Sequence, residues 1–185
     1  MSNQATIESG RGHWRMAGWS TAVALLLLPF VAMQFTSEVN WTGSDFVLWG
    51  CMLLFAGLAL EFLTRRAGSW AYRLGAGVAV LAAFLLVWVN AAVGLLGDEG
   101  NPANLMFVGV IAVALAGSIA GRFQPDGMAK AMFAAAAAQL LAGLVGLAAG
   151  WASPGGEGIY EVLLGTTLFG GLWLLSAALF RSAAR

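Results

Sequence analysis

The stretch VNAAVGLLGDEGNPAN, residues 89–104, is the most polar interruption in the middle of an otherwise apolar chain. It carries two adjacent carboxylates, Asp98 and Glu99, and three asparagines, Asn90, Asn101 and Asn104. Read as a turn, it separates two helices that each cross a bilayer. Read as a site, it is a cluster of oxygen ligands at a membrane surface.

The turn chemistry is complete without a ligand. Gly97 suits the position just past a helix end, where φ is often positive. Asn101 suits an N-cap, and Pro102 suits the first helical position, where no amide donor is needed. Asp98 and Glu99 precede the positive end of the next helix, where negative charge is mildly stabilised. The competing reading rests on density. Asp98, Glu99, Asn101 and Asn104 offer hard oxygen ligands of the kind that hold Ca²⁺ or Mg²⁺. Their spacing is not that of an EF-hand loop, so no metal is assigned and the turn reading leads.

Outward from this stretch the chain reads as six apolar runs, at 16–34, 46–63, 74–96, 105–120, 131–151 and 162–180. Of the 185 residues, 60% are hydrophobic and 10% charged, where a soluble domain carries about 25% charge. A soluble fold of this size could not hide so much apolar surface, whereas each run approaches the about 20 residues that span a bilayer. The expected fold is therefore an all-α membrane protein with six transmembrane helices in a compact bundle. Residues 1–15 form an N-terminal segment, 16–180 the six-helix transmembrane domain and 181–185 a C-terminal tail. The first run is longer than a signal-peptide core and lacks a small-x-small cleavage pattern, so it reads as an uncleaved helix.

The charges orient these spans. Arg11, Arg15, Arg65, Arg66, Arg73, Arg122, Lys130, Arg181 and Arg185 all fall on the side shared by both termini, which the positive-inside rule makes cytoplasmic. Glu38, Asp45, Asp98, Glu99, Glu157 and Glu161 fall on the other side. Trp14, Trp19, Trp70 and Tyr72 lie near the cytoplasmic interface, and Trp41, Trp49, Trp151 and Tyr160 near the opposite one, as an aromatic belt requires. Trp173 is mid-span, suited to packing or lipid contact.

Basic residues open the odd spans (Arg15, Arg73, Lys130) and close the even ones (Arg65, Arg122, Arg181) about every 58 residues. This spacing admits three tandem helical hairpins, although equal spans under a basic-inside bias give the same period unaided. Gly117 and Gly121, Gly146 and Gly150, and Gly165, Gly170 and Gly171 are small residues of the kind that let membrane helices approach closely. Pro29 should kink the first span. Thr42–Asp45 reads as a cap for the second helix. The sequon at Asn40 lies too near the membrane to be expected in use.

Three polar residues lie inside spans. Asn90 and Gln139 suit helix glue, with each other as plausible partners, at roughly 0.6–2 kcal/mol per interhelical bond. Glu61 is the only acid within an apolar run. An intramembrane acid is a functional candidate by default, but Arg65 four residues on supplies an i,i+4 pair of favourable polarity. One cysteine, Cys51, and one histidine, His13, exclude an internal disulfide, bis-histidine haem, multi-Cys/His zinc and four-thiolate iron–sulfur sites. No cofactor is expected, and zero net charge gives no bulk argument for nucleic acid.

LLLLPFVAMQFTSEVNWTGSDF and FLLVWVNAAVGLLGDEGNPANLMFVGV resemble stretches of a family of small uncharacterised bacterial integral membrane proteins. The resemblance implies a multi-span protein of the bacterial inner membrane and carries over no activity, substrate or catalytic residue. Three functions then compete. The first is a non-catalytic structural or accessory membrane protein, with the lipid bilayer, a helix-packing partner or a second copy as its partners. The second is a small transporter or channel using Glu61, Asn90 and Gln139. The third is a membrane enzyme or cation site at 97–104, against which no nucleophile pattern lies nearby. An enzyme is the less expected outcome.

Overall fold

The computed structural model describes the backbone from Ser2 onward and the side chains from Met16 to Arg185. Expectations placed on Arg11, His13, Trp14 and Arg15 therefore lie outside the described side chains. The described chain is helical, in the order α1 (Ser2–Ala32), α2 (Gly43–Arg66), α3 (Trp70–Ala92), α4 (Leu105–Ala120), α5 (Pro125–Ala148) and α6 (Gly156–Ala183). A single 3-10 turn, Pro102–Asn104, leads into α4. Each of the six apolar runs thus centres on one helix, with the runs at 16–34, 74–96 and 131–151 extending past the helix ends. By length and composition, α2, α3, α5, α6 and α4 with its leading 3-10 turn suit a membrane crossing, and the apolar part of α1 is the shorter stretch Met16–Ala32.

The chain divides into two compact units, Met1–Glu61 and Phe62–Arg185. In the first, α1 and α2 run antiparallel. The Trp49 indole Nε1 donates to the Leu25 carbonyl at 3.0 Å, and Gly57 faces the Trp19 ring so closely that a Cβ there would stand 3.2 Å from it. Thr42 and Asp45 cap α2 as the sequence implies. The Thr42 backbone N–H and hydroxyl both donate to Asp45 Oδ2, at 2.7 and 2.8 Å.

In the second unit four antiparallel helices pack side by side. α5 lies between α4 and α6, and α6 lies between α5 and α3, while α3 and α4 touch little. The α3–α4 pair therefore packs less closely than the α5–α6 hairpin. Small residues set the spacing. A Cβ on Gly121 would stand 2.6 Å from the Gly127 Cα, and one on Gly117 3.0 Å from the Ala131 Cα, so the α4 and α5 backbones meet where these residues lack bulk. Gly170 and Gly171 face open space and serve no such contact. The core is built from Tyr72, Leu86, Phe107, Phe169, Trp173 and Phe180, each under 3% exposed. Trp173 is thus packing rather than lipid contact. Tyr72 is not the interfacial anchor expected of it: its ring packs edge-on against Phe180 at 4.9 Å and its hydroxyl donates to the Phe123 carbonyl at 2.8 Å.

Large apolar side chains cover the outside of both units, among them Leu27, Phe30 and Phe55 in the first and Phe133, Leu141 and Leu164 in the second. Water would penalise so much exposed apolar area heavily. Hydrocarbon does not, and helices satisfy their own backbone there.

Candidate functional site

The polar stretch is folded into the helix ends rather than held away from them. α3 stops at Ala92, earlier than the apolar run, because Gly94 turns the chain at φ 74° and its N–H returns to the Val89 carbonyl at 3.1 Å. Leu95 and Leu96 then leave the helix and turn inward, 8% and 0% exposed. Leu96 fills the space over Gly146 on α5, where a Cβ would overlap it, and Leu95 does the same over Gly165 on α6. The two leucines form a plug in the end of the α5–α6 interface.

Asn104 holds the plug. It is 8% exposed. Its Oδ1 accepts the N–H groups of Leu95 and Leu96 at 3.0 and 2.9 Å, and its Nδ2 donates to the Asp98 carbonyl at 2.7 Å. Both lone-pair directions of the amide oxygen are taken by backbone donors, so Asn104 is not available as the cation ligand the sequence offered. Asn101 is the expected cap: its Oδ1 accepts the Ala103 N–H at 3.0 Å, with Pro102 following. Gly97 is left-handed at φ 77°, as expected, but within the turn rather than at the helix end. Its carbonyl accepts the Ser153 hydroxyl at 3.2 Å, which ties this turn to the α5–α6 turn. Asp98 and Glu99 are exposed. Among the described residues no group of three His, Cys, Asp or Glu side chains is placed to hold a metal ion.

The intramembrane candidates divide. Asn90 donates through Nδ2 to the Leu86 carbonyl of its own helix at 2.7 Å, and its Oδ1 is buried without a partner. Gln139, 0% exposed on α5, makes no hydrogen bond through either amide atom. The expected Asn90–Gln139 bond is therefore not made. Two further groups join them, since Thr166 Oγ1 and Trp173 Nε1 are also buried and unbonded. Thr166 sits against Gly143, one helical turn from Gln139, where a Cβ would overlap its hydroxyl. The α5–α6 region thus carries several buried polar atoms with unused hydrogen-bonding capacity. Glu61 belongs to the first unit, half-buried one turn before Arg65, and neither residue lacks an interaction partner.

At the opposite end of the four-helix unit lies a cavity of 490 Å³ that the sequence did not signal. Arg66, Ser69, Tyr72, Arg122, Phe123 and Gln124 line it. The α4–α5 turn beside it holds two consecutive non-glycine residues in left-handed conformation, Arg122 at φ 51° and Phe123 at φ 57°. The Tyr72 bond to the Phe123 carbonyl fixes that turn from below. The Arg66 guanidinium stacks on the rings of Phe62 and Phe123, at 4.4 and 5.2 Å.

Comparison with family profiles, with curated proteins and with solved structures finds no match to this chain.

Proposed function

We propose that this chain is a multi-pass protein of the bacterial inner membrane, with six spans and both termini cytoplasmic, in a non-catalytic structural or accessory role. The observation that carries the reading is the fate of the polar turn. Asn101 and Asn104 are spent on backbone N–H groups, and Asp98 and Glu99 lie exposed with nothing assembled around them. The one stretch dense enough to be an outward site is organised to hold Leu95 and Leu96 in place. The lipid-facing apolar side chains and the uniform side of the basic residues support the membrane setting and its orientation.

A transport reading is favoured by one observation, the unbonded amide of Gln139 together with the unbonded Thr166 hydroxyl and Trp173 indole inside the four-helix unit. Buried polar groups without partners are uncommon and call for a reason. Reconstitution separates the two. Proteoliposomes of the purified chain, loaded with pH- and cation-sensitive dyes, should leak no faster than empty vesicles if the role is accessory. Flux above that level, lost in Gln139→Leu with folding intact, would replace the accessory reading with the transport one.

A further inference from the structure

Among the described residues no carboxylate pairs with Arg66 or Arg122, though both line the same 490 Å³ cavity. Asp126, the acid on the first turn of α5, is tied to Lys130 at 2.6 Å and does not line it. The cavity volume lies within the about 300–1,000 Å³ usual for ligand pockets. Its other polar groups suit an anion. The α3 and α5 N-termini open there, where helix dipoles present positive charge. The α5 N-terminus has no side-chain cap from Gln124, so its first N–H groups are not claimed by that residue. The Arg66 guanidinium carbon lies 4.4 and 5.2 Å from the Phe62 and Phe123 ring centroids, and ring contacts of this kind leave guanidinium N–H donors for planar recognition of a phosphate.

We infer that this cavity binds a phosphate group, and that the phosphate is that of an anionic lipid headgroup. This rests on the membrane reading above. Under that reading the cavity lies at the basic, cytoplasmic headgroup level, and basic pockets between helices on that side hold anionic headgroups. Trp70, 73% exposed and stacked under the Arg73 guanidinium at 5.3 Å, marks the same level on the next turn. Two unpaired arginines supply charge-assisted hydrogen bonds to phosphate oxygens, and the Ser69 and Gln124 side chains add neutral ones.

The test uses the full chain, delipidated in neutral detergent, with native mass spectrometry and three probes: phosphatidylglycerol, phosphatidylcholine and inorganic phosphate. The expected result is one retained phosphatidylglycerol per chain, bound about tenfold more tightly than phosphatidylcholine. Arg66→Gln with Arg122→Gln should weaken it by at least about tenfold. Arg122→Lys should keep most of the binding, and Arg181→Gln, the same charge lost outside the cavity, should keep all of it. Should the double variant fail to fold, Gln124→Trp fills the cavity from an exposed turn and leaves both arginines, and it too should block the lipid. Displacement of the lipid by millimolar inorganic phosphate would retain the anion site and reassign its source to free phosphate. Undiminished lipid binding in the folded double variant or in Gln124→Trp, or equal loss in Arg181→Gln, would overturn the site. Alkaline carbonate extraction reports on the membrane reading alone. Release of the chain would end that reading, and phosphate binding lost in the double variant would still establish the anion site.

Discussion

Asn104 and Leu96 hold one another: the amide oxygen of Asn104 accepts the Leu96 N–H at 2.9 Å, and the Leu96 side chain fills the notch left by Gly146. A polar residue thereby fixes the position of an apolar one. Asn104→Ala leaves the buried N–H groups of both Leu95 and Leu96 unbonded and should lower unfolding stability by about 2–4 kcal/mol, at about 1–3 kcal/mol for each buried donor left unpaired in part. Reversible unfolding in mixed micelles measures this. A change under 0.5 kcal/mol would show that the turn does not depend on Asn104.

The adjacent carboxylates should behave differently. Asp98→Asn with Glu99→Gln removes only exposed charge near a helix start, a loss of about 0.3–1 kcal/mol for each. Divalent cations should leave the melting temperature of both forms unchanged. A Ca²⁺- or Mg²⁺-dependent rise in the parent chain, absent in the double variant, would instead reveal a cation site.

Gly146→Ala places a methyl group where Leu96 already sits and should cost about 1–3 kcal/mol. Leu96→Ala opens a cavity and should also destabilise, by about 2–5 kcal/mol. Combined, the two changes should cost less than their sum, since the alanine at 146 grows into the space vacated. Strict additivity in a double-mutant cycle would mean that Leu96 does not seat on Gly146.

Arg122 pays backbone strain at φ 51° while its side chain lies exposed. Arg122→Gly should therefore raise stability, by up to about 1 kcal/mol, because glycine adopts left-handed backbone at no steric cost. Phe123→Gly relieves the same strain but removes the ring packed against Phe62 at 5.0 Å, so it should not stabilise. Thermal melts of the two variants side by side test the contrast.

Gln139→Leu exchanges an unbonded buried amide for an apolar side chain of similar size. It should be neutral or stabilising, since the amide desolvation of about 1–3 kcal/mol is offset by no hydrogen bond. A loss above 1 kcal/mol would show that the amide is satisfied in the membrane-embedded protein. For topology, after Cys51→Ser, single cysteines at 40 and 100 should label only from outside the cell and those at 67 and 122 only from inside. Labelling of position 100 from the cytoplasmic side would refute the orientation.

The helices were legible from hydropathy, and the caps at Thr42, Asp45 and Asn101 from local chemistry, because both depend on neighbours in sequence. What was not legible depends on rotation about helix axes. Leu95 and Leu96 count toward an apolar run whether they face lipid or plug an interface, so the end of α3 is overrun by the hydropathy signal. Asn90 and Gln139 are each mid-span, yet depth alone does not aim one amide at the other. Tyr72 looks interfacial by position and is buried by packing against Phe180. The Arg66–Arg122 cavity joins residues 56 apart through a turn whose left-handed backbone no glycine announces.

The Leu95–Leu96 plug also imposes an order on biogenesis. Its socket is made by Gly146 and Gly165, which leave the ribosome some fifty and seventy residues after the leucines they receive. Until α6 has entered, the α3–α4 loop is only half seated, with the Gly146 notch present for Leu96 and no socket for Leu95. The last step of assembly is then a latch: arrival of α6 closes a loop made long before, so a nascent chain stalled before residue 165 should stay open to protease at 94–100.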